Sequence, residues 1–228
     1  MKTRNITLMM YLTAVFGMLF MLVSNSAVAG TITGSKHDFQ NSSFTVDNQI
    51  CVVCHTPHGS DTAVTEAPLW HHETTTKTYT VYSSNSLDAT VGDPDGISKL
   101  CLSCHDGSVA LDSFGGVSGA IFMTDFNPDA AVGADVSGSL ANDHPISFVY
   151  NQQLATDDGA LHDPTTKTVT IGSGTKTKSG TIDTVMLSGG KVQCSTCHDV
   201  HNTFTVPNSP LLRVSLTGSS LCLTCHDK

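Results

Sequence analysis

Eight cysteines fall into four copies of one pattern. They are Cys51-Val52-Val53-Cys54-His55, Cys101-Leu102-Ser103-Cys104-His105, Cys194-Ser195-Thr196-Cys197-His198 and Cys222-Leu223-Thr224-Cys225-His226, with no cysteine left over. Two thiols three residues apart lie on one side of a helical turn, where each can form a thioether with a porphyrin vinyl group. The next residue shares that face, so its imidazole can reach the iron. Disulfides, zinc sites and dithiol redox pairs each explain paired cysteines. None of them explains a histidine after the second cysteine four times in four. The pattern therefore predicts four covalently attached haem c groups, with His55, His105, His198 and His226 as proximal iron ligands.

The sixth position on each iron decides the chemistry. An open position admits substrate or O2, whereas a second strong ligand leaves electron transfer. Beyond residue 30 only Met123 and Met186 could supply sulfur, against seven further histidines. The surplus predicts bis-His iron throughout and a lowered reduction potential. His58 and His201 recur three residues after a proximal histidine. Each is too close to its own attachment site to cross that haem, so each is expected on a neighbouring one. His144, in Asn142-Asp143-His144-Pro145, and His37, in Lys36-His37-Asp38, complete the distal set. In both, the adjacent acid is expected to fix the ring. His72 is the alternative distal ligand. His71 and His162 read as surface or packing residues. Asp106, Asp199 and Asp227 follow proximal histidines and read either as their partners or as solvated acids.

The elements that must carry these groups repeat. Cys51 to His58 and Cys194 to His201 open each pair of sites with an extra histidine, and Leu100 to Asp106 and Leu221 to Asp227 close each pair without one. Pro68-Leu69-Trp70 follows the first opening and Pro210-Leu211-Leu212 the second. This is a duplicated two-haem unit. The closing sites are expected on short helices, with Ser98 and Ser219 or Ser220 as N-caps and Gly107 as a stop. Between the pairs, alternating Thr, Val and Ile over 166–172 and 181–187 predict a β-hairpin, with residues 172–180 as its loop. Residues 109–143 read as irregular. Asp93-Pro94-Asp95-Gly96 reads as a turn rather than a calcium site.

The fold class expected is a multihaem cytochrome c with little regular secondary structure: short helices at the CxxCH motifs and a small β-hairpin around a stack of four haems. Aromatic residues are 6% of the chain and tryptophan occurs once, so the porphyrins are expected to serve as core and the haem-free chain not to fold. The charge of −9 argues against nucleic-acid binding. Residues 1–29 carry Lys2 and Arg4, an apolar run over 6–23 and Ala27-Val28-Ala29, which predicts a signal peptide cleaved after Ala29. No later stretch is apolar enough to span a membrane. The domain reading is 1–29 signal peptide and 30–228 tetrahaem domain. The latter divides into 30–150 (first two-haem unit with an N-terminal arm), 151–192 (polar β insert) and 193–228 (second unit).

The chain resembles the extracellular tetrahaem c-type cytochromes that polymerise into filaments, the OmcE type, within the doubled-CxxCH multihaem cytochromes. The segments that carry the likeness are Ser35 to Asp38, Cys51 to His58, Pro68 to Trp70, Leu100 to Gly107, Asp143 to Ser147 and Gly218 to His226. The resemblance implies four bis-His haems in a continuous chain, with His37, His58, His144 and His201 as distal ligands and one of the axial histidines supplied by an adjacent subunit. His37, on an arm poor in core residues, is expected to be that one. The resulting expectation is an electron-transfer protein and not an enzyme. It would be a head-to-tail homopolymer at the cell surface, passing electrons from partner cytochromes to metal oxides or other extracellular acceptors. A soluble periplasmic tetrahaem shuttle is the alternative, and a multihaem oxidoreductase with an open iron the third reading.

Overall fold

A computed structural model describes residues 31–45, 48–64, 67–133 and 139–228. The expected signal peptide lies outside the described residues. Regular structure is sparse. The longest helix is Gly96–His105, which carries the first closing site. Short helices at Cys194–Cys197 and Ser220–Cys225, and a 3-10 turn at Cys51–Val53, carry the other three. No helix among the described residues is long and apolar enough to cross a membrane.

The hairpin forms, but with its second strand earlier than the side-chain pattern suggests. Thr168–Ser173 pairs antiparallel with Lys176–Thr181, in the register Thr168 to Thr181 through Ser173 to Lys176. Gly174, at φ 59°, opens a two-residue turn that fixes this register. The Lys- and Gly-rich stretch read as loop is therefore strand. Residues Ile182–Val185, read as strand, form a helical turn. Ile171 and Ile182 are fully buried, so the inward positions lie either side of the turn that ends the hairpin.

The insert is less polar in function than in composition. Its ends are clasped by Phe148–Val149 pairing with Lys191–Val192. Inside that clasp lies the larger hydrophobic core: Phe148, Tyr150, Leu154, Ile171, Ile182, Val185, Met186 and Val192, with Leu221 and Cys225 packed against it. The helix Gln152–Asp158 borders this core. It starts where the Asn151 side chain accepts from Leu154 N (2.9 Å) and stops at left-handed Gly159.

A smaller core of Phe44, Val53, Leu111 and Met123 lies under the first unit, with Phe39, Cys54 and Cys104 against it. Phe39 and Phe44 rings sit 5.4 Å apart, and Phe44 meets Phe126 at 5.5 Å. The N-terminal arm is thus anchored by its own phenylalanines. Its first described residue is held too, since Thr31 accepts from Asn202 and Lys176.

Ser98 is not a cap. Asp95 holds that position, and Ser98 is wholly buried one turn inside the helix. Its backbone N–H donates to Gln193 Oε1 (3.0 Å), and its hydroxyl donates to the same oxygen while accepting from Cys194 N (3.0 Å). Gln193 Nε2 reaches Asp95 (3.1 Å), which also pairs with Lys191. This buried polar joint sets the first closing helix against the second opening site.

Candidate haem centres

The two opening sites share one frame. His55 N donates to Cys51 O (2.8 Å) and His198 N to Cys194 O (3.0 Å), closing a turn over each cysteine pair. A strap then crosses each site. His55 bridges Trp70, and His198 bridges Leu212. Thr56 N donates to Leu69 O and His71 N to Cys54 O; the counterparts are Asp199 N to Leu211 O and Arg213 N to Cys197 O. Leu69 (φ 63°) and Leu211 (φ 58°) are both left-handed, which turns the preceding proline carbonyl inward. His55 Nδ1 donates to Pro68 O (3.0 Å) and His198 Nδ1 to Pro210 O (2.8 Å). A carbonyl can only accept, so Nδ1 carries the proton and Nε2 keeps its lone pair for a metal. His105 follows the same rule, with Nδ1 on Ala130 O (2.7 Å).

The adjacent acids, by contrast, do not hold the rings. His144 Nδ1 donates to Pro145 O (2.9 Å), not to Asp143. Asp38 accepts from Gly34 N (2.6 Å) and so holds its own turn. Asp106 accepts from Ser108 N (2.7 Å), Thr75 and Tyr79. Asp199 accepts from three backbone N–H groups downstream. Backbone carbonyls as ring partners were invisible by residue type, because every residue has one. The signal available was the repeated Pro-Leu pair.

Three distal candidates meet a proximal histidine. Ring centroids lie 6.0 Å apart for His37 and His105, 6.2 Å for His55 and His201, and 6.4 Å for His144 and His226. Metal–imidazole bonds are about 2 Å and the ring centre lies about 1 Å beyond the nitrogen, so two imidazoles on opposite sides of one iron have centroids about 6 Å apart. The donor set fits haem iron. Burial, with smaller contributions from His105, His198 and His201, lowers the His37 pKa to about 4, which keeps its imidazole neutral. Its Nδ1 is buried with no protein partner, and so is the indole nitrogen of Trp70, which meets His55 edge-on.

Within one chain His37 sits against His105, with the Phe39 ring edge-on beside it. His58 is exposed on the loop after the first opening site, its backbone bonded to Thr56. No ring contact joins it to His198 among the described residues. His72 is buried with Nδ1 on Glu73 O (2.8 Å), and its Nε2 lies against both Ala110 O (3.1 Å) and Cys104 Sγ (3.6 Å), beside the first closing site. His71 packs near Phe114 (6.1 Å), and the His162 backbone ties Tyr150 to Cys225.

No disulfide joins any of the eight cysteines. Burial, reinforced by Cys51, pushes Cys54 up to about 11, and burial pushes Cys225 up to about 12. The first closing helix and the second opening site meet at the buried Ser98–Gln193 joint, where Cys194 N donates to the Ser98 hydroxyl (3.0 Å).

No curated protein matches the chain. Residues 187–228 match the family model of the doubled CXXCH motif, which covers the second pair of sites. That motif indicates covalently bound haem c and the electron-transfer chemistry of multihaem c-type cytochromes.

Proposed function

We propose that the chain carries four haem c groups, each held by two histidines, and transfers electrons without catalysing a substrate reaction. The observation that carries this reading is the set of three imidazole pairs at the separation of a bis-ligated iron. Haem c supplies one-electron redox chemistry when bound. The protein's part is to hold each iron between neutral imidazoles and to bring the sites close together. Cysteines at positions 54, 101, 104, 194, 197 and 225 are half-buried, and Cys54, Cys104 and Cys225 pack against hydrophobic side chains, which suits thioether attachment at the edge of the cores. Since His201 of the second half faces His55 of the first, the internal repeat pairs His58 with His198. The resemblance extends the reading to a subunit of an extracellular filament.

A second reading, the soluble periplasmic shuttle, uses the same bis-His ligation without a polymer. Intact mass with a pyridine haemochrome assay tests the haem count; fewer than four haems on a fully matured chain would overturn it. Wild-type protein should be low-spin and should not bind CO. Negative-stain microscopy of secreted material separates the two readings, since fibres support the filament and dispersed particles the shuttle.

A further inference from the structure

We infer that Asp199 is the positioning residue for His201, fixing the loop that brings this imidazole from the second half of the chain to His55 of the first. The inference rests on the reading that His201 is an axial ligand.

Asp199 follows the proximal His198, where an acid would be expected to steady the ring. That role is taken, because His198 Nδ1 donates to Pro210 O. The Asp199 carboxylate instead turns downstream and is almost fully buried, at 7% exposure. Its Oδ1 accepts from His201 N (3.1 Å), and its Oδ2 accepts from Thr203 N (3.1 Å) and Phe204 N (2.9 Å). The Asp199 backbone completes the clamp, donating to Leu211 O (2.8 Å) and accepting from Asn202 N (2.9 Å). Strap and distal loop are thereby joined at one residue. Phe204, at the far end of the clamp, packs against the larger core. The His201 ring emerges from this loop stacked on His55, 6.2 Å away and inclined by 17°.

A buried carboxylate that accepts N–H bonds makes stronger bonds than a neutral group, and its removal strands the donors it held. The protein contains its own comparison. At the corresponding place after His55 stands Thr56. Its hydroxyl donates to His58 O (2.9 Å) and accepts only a long bond from His58 N (3.4 Å). One neutral hydroxyl there does the work of a three-bond anionic clamp here, and the His58 ring is left exposed.

The test uses the matured holoprotein and three variants: His201→Ala, Asp199→Ala and Asp199→Asn. Haem content should stay at the wild-type value in all of them. His201→Ala should make one haem CO-reactive after dithionite reduction and remove one low-spin EPR signal. Asp199→Ala should give CO binding at that same haem and weaken that same signal. In Asp199→Asn one oxygen becomes an NH2 group that cannot accept, so the CO-reactive fraction should be smaller but present. If His201→Ala creates a CO-reactive haem and Asp199→Asn binds no CO, the positioning role is overturned while the ligand assignment stands. If His201→Ala itself creates none, the ligand reading falls and the inference falls with it. Should Asp199→Ala fail to mature, Asp199→Asn decides alone.

Discussion

The two halves of the chain are built alike at their haem sites and unlike beneath them. Under the second half lies a core of Ile171, Ile182, Val185, Met186 and their neighbours, assembled by the insert, with one haem cysteine, Cys225, packed against it. Under the first half lies a core of four buried side chains that closes directly onto Cys54 and Cys104. The second half thus has the larger apolar scaffold of its own side chains, and the first the smaller. Haem serving as core, expected for the whole chain, would matter most under the first half, because the insert gives the second a larger side-chain core.

The most severe way to break this contrast is to withhold haem. In chain produced without attachment, amides of 148–192 should keep protection about two orders of magnitude above those of 31–133, measured by hydrogen exchange. Uniformly fast exchange would show that the insert core is no more self-sufficient than the other. A narrower disruption is His37→Ala. One of the low-spin signals should give way to a high-spin haem in isolated monomers. If the change appears only when fibres are present, the imidazole is shared between copies after all. Within the cores, Ile182→Ala should cost about 3 kcal/mol in urea unfolding, with or without haem. Leu111→Ala should cost a similar amount only in the haem-loaded protein. The smallest effect is expected at the edge of the insert core. Asn151→Ala removes the acceptor for Leu154 N and should cost about 1 kcal/mol, with haem spectra unchanged.

What could be read from the sequence was the chemistry, because it is written in residue types. The four CxxCH sites, the surplus of histidines and the doubled order of opening and closing sites needed no coordinates. What misled was anything decided by backbone direction. The hairpin register follows from the turn at Gly174, while the apolar alternation pointed to residues 181–187. Ser98 has the type of a cap, but the joint to Gln193 claims it. Asp143 and Asp199 stand beside histidines in sequence, yet local turns direct their neighbours' rings to carbonyls. The arm reads as poor in core residues, yet Phe39 packs on Phe44 and Phe44 on Phe126.

The Pro-Leu strap carries a consequence for how such chains grow. A leucine in the left-handed region is an uncommon and unfavourable conformation, yet it occurs at both Leu69 and Leu211. It lets a proline carbonyl, 13 residues after His55 and 12 after His198, set which nitrogen of the imidazole is free. The intervening loop tolerates a change of one residue without disturbing that outcome. Ligand and tautomer control therefore travel together on one short stretch of chain. A duplication of that stretch delivers a ready-made metal ligand to a new place, and lineages can lengthen a haem array segment by segment while the fold between the segments drifts.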